Sequence, residues 1–118
     1  MNASTGRGAM RKNNAETACA EIFRAVGDAT RLAVLQLLLQ APARVGELSQ
    51  RLGVEQSLLS HHLKVLRDAG LVVAAREGKG MRYRIAPAVR DETQHTCLDL
   101  ECCRVEFPST PQRAKRGP

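Results

Sequence analysis

Aromatic side chains are nearly missing from this chain. Of its 118 residues none is tryptophan, one is tyrosine and two are phenylalanine. A core built around aromatic rings is therefore excluded. The 43% of residues that are hydrophobic must pack as leucine, valine and alanine. Aliphatic domains of this length are often completed by dimerisation. No apolar run is long enough to span a membrane. Residues 1–14 are polar and lack the apolar stretch of a secretory signal. The expected compartment is the cytoplasm, where thiols stay reduced. The four cysteines are then expected as ligands or free thiols, not disulfides. A glycine-rich phosphate loop, a carboxylate pair and a recognisable nucleophile–base arrangement are also absent, so the case for an enzyme is poor. Acidic residues are outnumbered, 12 against 18 Lys and Arg, which gives a formal charge of +6 and a pI near 9.7. That balance points to a polyanionic partner, although basic tails contribute to it.

What is present is organised around residues 47–72. Leu48 and Leu52, four apart, mark one face of a short helix. Gly53 suits a left-handed residue after it. A longer helix then ends at Gly70, with Leu58, Leu59, Leu63, Val65 and Leu66 expected toward a core. Its other face shows Gln56, Ser57, Ser60, His61 and Lys64. The last four recur at i, i+3, i+4 and i+7 and so form one polar, partly cationic stripe. Such a face suits a recognition helix in a major groove. An ordinary solvated helix face is the bland alternative.

Upstream, Ala15, Ala18, Cys19, Ile22, Phe23 and Val26 make an amphipathic stripe that Gly27 stops. Cys19 falls on that stripe and reads as a small buried hydrophobe. Asp28 or Thr30 can cap the next helix, about residues 30–39, which is apolar nearly all round and therefore central. Pro42 breaks it. After Gly70 the period changes to two. Residues 71–76 and 81–85 read as strands joined by Glu77-Gly-Lys-Gly80. Arg76, Lys79, Arg82 and Arg84 make the hairpin basic. Beside a helix-turn-helix it reads as a wing whose cations reach phosphates. A solvated hairpin with cations guarding its edges is the weaker alternative.

Asp28-Ala-Thr-Arg-Leu-Ala-Val-Leu, Glu47-Leu-Ser, Ser60-His-His-Leu-Lys-Val-Leu-Arg-Asp-Ala-Gly-Leu-Val72 and Tyr83 on the wing together resemble the winged-helix arsenic- and metal-responsive repressors of the ArsR/SmtB family. The resemblance covers about residues 18–85. It implies a mainly α fold with a two-stranded β wing and a homodimer built largely by the first and last helices. It also implies a repressor that binds double-stranded operator DNA and leaves it when an inducer binds. DNA contacts are then expected from Gln56, Ser57, Ser60, His61, Lys64, Lys79, Arg82 and Arg84. The sensing region departs from the family. Many of its arsenic repressors carry a cysteine pair before the recognition helix, where this chain has Val45-Gly46-Glu47. Asp91 and His95 are only a fragment of the zinc-sensor pattern.

The chain has instead Cys97, Cys102 and Cys103, three cysteines within seven residues. Three soft thiolates suit a thiophilic centre. Trivalent arsenic or antimony, which wants three sulfurs, is the leading ligand, on the resemblance as well as on donor type. Zinc, cadmium or lead compete, with His95 as a possible fourth donor for zinc. An organic trivalent arsenical would need only Cys102 and Cys103. A redox sensor joining two thiols, or tail thiols that sense nothing, are further alternatives. The segment around them, rich in Thr, Gln, Glu and Asp, is expected to be loosely held without inducer. The expected organisation is a disordered tail over 1–13, the winged domain over 14–92, the cysteine-rich segment over 93–107 and a disordered basic tail over 108–118.

Overall fold

The computed structural model describes residues 9–93 and 96–108, with side chains described from residue 16 onward. Helix α1 runs Ala9–Val26, so it begins inside the stretch expected as a tail. The reason is local: after Gly8, the Ala-Met-Arg-Lys run has high helix propensity and no breaker. The helix stops at Gly27. Asp28 then caps α2 (Ala29–Gln40) by accepting from the Arg31 amide at 3.0 Å. Val34, Leu35, Leu38 and Leu39 of α2 are buried. This helix is the central one, as its sequence requires.

Pro42 separates α2 from β1 (Ala43–Arg44), which leads into α3 (Val45–Leu52). Helix α4 (Gln56–Asp68) follows. It buries Leu59, His62, Leu63 and Leu66, which lie at i, i+3, i+4 and i+7. Leu58 was expected in the core but sits outside that stripe and is 49% exposed. One residue is a 100° step around a helix, so adjacent leucines cannot share one narrow face. Gly70, at φ 81, ends the helix: its amide reaches Arg67 O and the Leu71 amide reaches Leu66 O, both at 2.9 Å. Those two bonds satisfy carbonyls the helix leaves open, in a turn that only glycine enters without strain.

The wing is β2 (Val72–Glu77) and β3 (Gly80–Ile85), paired from Val72↔Ile85 to Glu77↔Gly80 around Gly78-Lys79. The wing sheet has three strands, not two, because β1 pairs with the other edge of β3 through Ala43↔Tyr83 and Arg44↔Arg82. A short 3-10 turn, Pro87–Val89, leads on. The last feature among the described residues is a second hairpin, β4 (Cys97–Asp99) and β5 (Arg104–Glu106), paired Cys97↔Glu106, Leu98↔Val105 and Asp99↔Arg104. Two expectations are corrected here. Among the described residues there is no C-terminal helix to pair with α1. Nor is the cysteine segment loosely held: Leu98 and Leu100 are buried in the main core at 0% and 1% exposure. Two leucines in alternation with acidic residues were enough to anchor it. Residues 1–8, His95 and most of the expected basic tail (109–118) lie outside the described residues.

Candidate nucleic-acid interface and thiol cluster

The polar stripe of α4 lies in the open. Gln56, Ser57, Ser60, His61 and Lys64 are all exposed, with Leu58 among them. Lys64 Nζ donates to Asp68 Oδ2 at 2.8 Å, a pair more than 60% exposed at both ends. A pair this wet is worth little, so the lysine can exchange its partner for a phosphate.

Behind the stripe a polar knot fixes the angle of α4. Arg31 donates from Nε to Ala25 O at 2.7 Å and from Nη2 to Arg24 O at 3.3 Å, closing the end of α1. Its Nη1 stands 3.0 Å from His62 Nδ1. Asp28 Oδ2 lies 3.9 Å from the same ring nitrogen. The Arg31 amide holds the Asp28 carboxyl below its ordinary range. Asp28, Arg31 and His62 thus join the α1–α2 corner to the buried side of α4. His61 and His62, adjacent in sequence, do different work: one faces solvent and the other is buried.

The wing's cations divide the same way. Arg82 Nε donates to both Glu77 oxygens, at 2.9 and 3.0 Å, and its Nη1 donates to Pro42 O at 3.2 Å. Arg44 donates to the Glu77 carboxylate at 3.2 Å and to its main-chain oxygen at 2.7 Å. The Arg82 and Arg44 guanidiniums keep Glu77 below the usual carboxylate range. Arg82, expected as a phosphate contact, is thus engaged with Glu77 and the Pro42 carbonyl in the free chain. Lys79 at the turn and Arg84 on β3 are exposed.

The thiols are not arranged as their spacing implied. Cys102 is exposed and Cys103 half-buried in the loop between β4 and β5. Glu101 in that loop holds φ 76, and its amide donates to Asp99 Oδ1 at 3.2 Å. The loop turns its tip toward α1. There Cys19, half-buried, is a neighbour of Cys102 and Cys103. The contact with Cys102 comes first among the causes, ahead of burial, that push the Cys19 thiol up to about 11. Cys19 is thus no simple core filler. Burial pushes Cys103 up as well. Cys97 lies apart, 1% exposed on β4, with its sulfur 4.0 Å from the Thr96 hydroxyl. Arg104 bonds Asp91 Oδ2 at 3.0 Å and neighbours Cys97. Among the described residues, no three Cys, His, Asp or Glu side chains already stand converged as a metal site.

Comparison with known proteins decides the family. The sequence profile of the bacterial regulatory proteins of the arsR family matches residues 28–73. A probable mercury resistance operon repressor of Streptomyces lividans is 41% identical over 92 residues, covering 71% of this chain and 74% of that one. A homodimeric winged helix-turn-helix DNA-binding domain from Mycobacterium bovis, titled a possible ArsR-family regulator, superposes with TM-score 0.60 at 31% identity, covering 75% of this chain and 78% of that one. The chain belongs to the ArsR family. Another relative, the HTH-type transcriptional regulator CmtR of Mycobacterium tuberculosis, is 44% identical over 71 residues, and the match takes in 60% of each chain. The fold is that of a DNA-binding regulator and not of an enzyme. The profile match ends at residue 73, ahead of the cysteine hairpin. Sequence reasoning missed Cys19 as a neighbour of Cys102, since the two are far apart along the chain and no periodicity reports such nearness. Asp28, Arg31 and His62 lie within the motifs that carry the family resemblance, but no spacing reports the knot they form.

Proposed function

We propose that the protein is a cytoplasmic, homodimeric transcriptional repressor that binds operator DNA and leaves it when a thiophilic metal or metalloid binds its C-terminal cysteines. Trivalent arsenic or antimony is the leading inducer. The observation that carries this reading is a juxtaposition in one small domain. An exposed Ser/His/Lys stripe on α4 and a wing bearing Lys79 and Arg84 form a reading head, and a sulfur-rich hairpin packs on the same core. Bases are read by α4, and phosphates are held by Lys79, Arg84 and, once freed from Glu77, Arg82. Phe23 supports the dimer: it is 53% exposed on α1, where a lone domain gains nothing from an apolar ring. Two α4 helices about 34 Å apart would then meet successive turns of the groove.

Cys102 and Cys103 are the inducer's first two sulfurs, because the hairpin tip presents them to solvent. An inducer need favour the DNA-incompetent form only modestly. A coupling of about 1–3 kcal/mol lowers operator affinity roughly 5- to 150-fold. The test is operator release followed by fluorescence anisotropy. Arsenite should release the reduced wild type. The Cys102→Ser, Cys103→Ser double variant should bind the operator normally and stay on it. Normal release of that variant by arsenite would place sensing elsewhere. The exposed thiol of Cys102, next to Cys103, favours a second reading, release by oxidation to a disulfide. Release by peroxide, with arsenite inert, selects it.

A further inference from the structure

The wing carries an anion of its own. A single carboxylate, that of Glu77, holds two guanidiniums. Arg44 Nε donates to it at 3.2 Å, and Arg44 Nη2 stands 3.1 Å from the same oxygen. Arg82 Nε donates to both oxygens, at 2.9 and 3.0 Å. Two cations against one anion leave the cluster positive. It is also wet: both arginine side chains are 40% exposed and that of Glu77 is 46% exposed. Pairs this exposed exchange partners cheaply. Arg44 is seated over the wing turn. A Cβ at Gly80 would stand 2.8 Å from its Nη1, and one at Gly78 3.7 Å from its Nη2, so the guanidinium lies against the backbone on either side of Lys79. There it borders an open groove of about 600 Å³. Gly46 at the start of α3, Gln56 at the start of α4 and Met81 on β3 line the same groove, and a Cβ at Gly46 would stand 3.8 Å from Gln56 Nε2. Gln56 begins the polar stripe of α4. Arg44 thus lies on the reading face, between that stripe and the turn that carries Lys79.

We propose that Glu77 stands in for a DNA phosphate in the free chain, and that a backbone phosphate displaces it from Arg44 and Arg82 on binding. Arg44, absent from the contacts expected of the sequence, is then a phosphate contact of the reading head. The inference rests on the DNA-reading head proposed above and adds to it an anion that opposes binding. A guanidinium presents the same planar fork to a carboxylate and to a phosphate. Among the described residues, Arg44 Nη1 and Arg82 Nη2 donate to no acceptor, so each arginine has a donor ready for a second anion. The wing does not depend on the carboxylate alone. Arg44 Nη2 donates to the Glu77 main-chain oxygen at 2.7 Å, Arg82 Nη1 donates to Pro42 O at 3.2 Å, and Glu77 stays paired with Gly80 across the hairpin. When a phosphate arrives, the displaced carboxylate is a like charge beside the duplex and must collect a cation from solution. Both effects weaken binding. Phosphates carry no sequence information, so the weakening is the same for every sequence.

Fluorescence anisotropy of the reduced full chain on a labelled mixed-sequence duplex tests this, since phosphate contacts need no particular operator. Glu77→Gln keeps the side chain's shape and removes its charge. It should bind about two- to tenfold more tightly than wild type. Its salt dependence should be steeper by up to about one unit of slope. Glu92→Gln removes the same charge from an exposed turn beyond the wing and should give a much smaller gain. Arg44→Ala should cancel most of the gain when added to Glu77→Gln. In wild type it should weaken binding less, because there the arginine must first leave its carboxylate. Thermal melts report the fold of each variant. Equal or weaker binding by Glu77→Gln with an unchanged melt overturns the proposal. So does an equal gain in Glu92→Gln, or an Arg44→Ala change that loses nothing on the Glu77→Gln background. A melt and an affinity that fall together in Glu77→Gln make the carboxylate a brace of the wing and overturn it as well. A wild type that binds no duplex removes the reading head itself, whatever Glu77 does.

Discussion

The helix-turn-helix and the cysteine hairpin hold their shapes by different means. The first is periodic: α4 buries Leu59, Leu63 and Leu66 on successive turns together with His62, is closed by Gly70, and is pinned by Asp28 and Arg31. The second has strands of three residues each and a loop with Glu101 at a φ of 76. It is held by Leu98 and Leu100 and by the Arg104–Asp91 pair. A long amphipathic helix resists local change because each turn supports the next. A two-leucine hairpin can be reset by one bound atom. The contrast matches the division of labour proposed here, a rigid reader beside a deformable sensor.

The largest expected effects come from removing one buried leucine in each region. Leu63→Ala and Leu98→Ala should each cost about 2–5 kcal/mol in chemical denaturation, since both side chains are fully buried. Operator affinity should collapse for Leu63→Ala and survive for Leu98→Ala at temperatures where that variant stays folded. Equal loss of DNA binding would mean that the two regions are one mechanical unit. Next is the dimer face. Phe23→Asp should shift sedimentation toward the monomer and weaken operator binding, because it sets a charge where an apolar partner is expected. A wild type that sediments as a monomer at micromolar concentration would contradict the dimer.

Smaller effects separate the cations. Lys79→Ala or Arg84→Ala should weaken binding to all sequences alike and lower the salt slope by about 0.9 per lost phosphate contact. Arg82→Ala should weaken binding less and also loosen the wing, since its guanidinium must first leave Glu77 and the Pro42 carbonyl. The hairpin has an acid limit of its own. Hydrogen bonds from the Thr93 hydroxyl and amide, then from Arg104, hold Asp91 at about 2 against an ordinary 3.8. A depressed carboxylate contributes stability that is complete above its unfolded value and lost as pH falls through the folded one. The hairpin amides should therefore shift between about pH 4 and 2, with no such step in Asp91→Asn. Leu58→Ala, at an exposed site, should move stability by no more than about 0.5 kcal/mol. It should still alter operator preference if α4 enters the groove.

Periodicity and local chemistry determined much of this protein by sequence alone. The burial of Leu59, Leu63 and Leu66, the exposure of Ser57, Ser60, His61 and Lys64, the Asp28 cap and the wing hairpin all follow from spacing within one element. Such features depend on neighbours a few residues away, so a linear reading reaches them. Tertiary structure alone decided four others. It set Arg82 against Glu77, turned Leu58 outward, anchored the hairpin through Leu98 and Leu100, and brought Cys19 to Cys102. The first two turn on which of several similar side chains wins a crowded place. The last two are contacts between distant parts of the chain, set by how the hairpin folds back onto α1. Only that folding back makes a helix cysteine, which reads as core, a neighbour of two others at the far end of the chain.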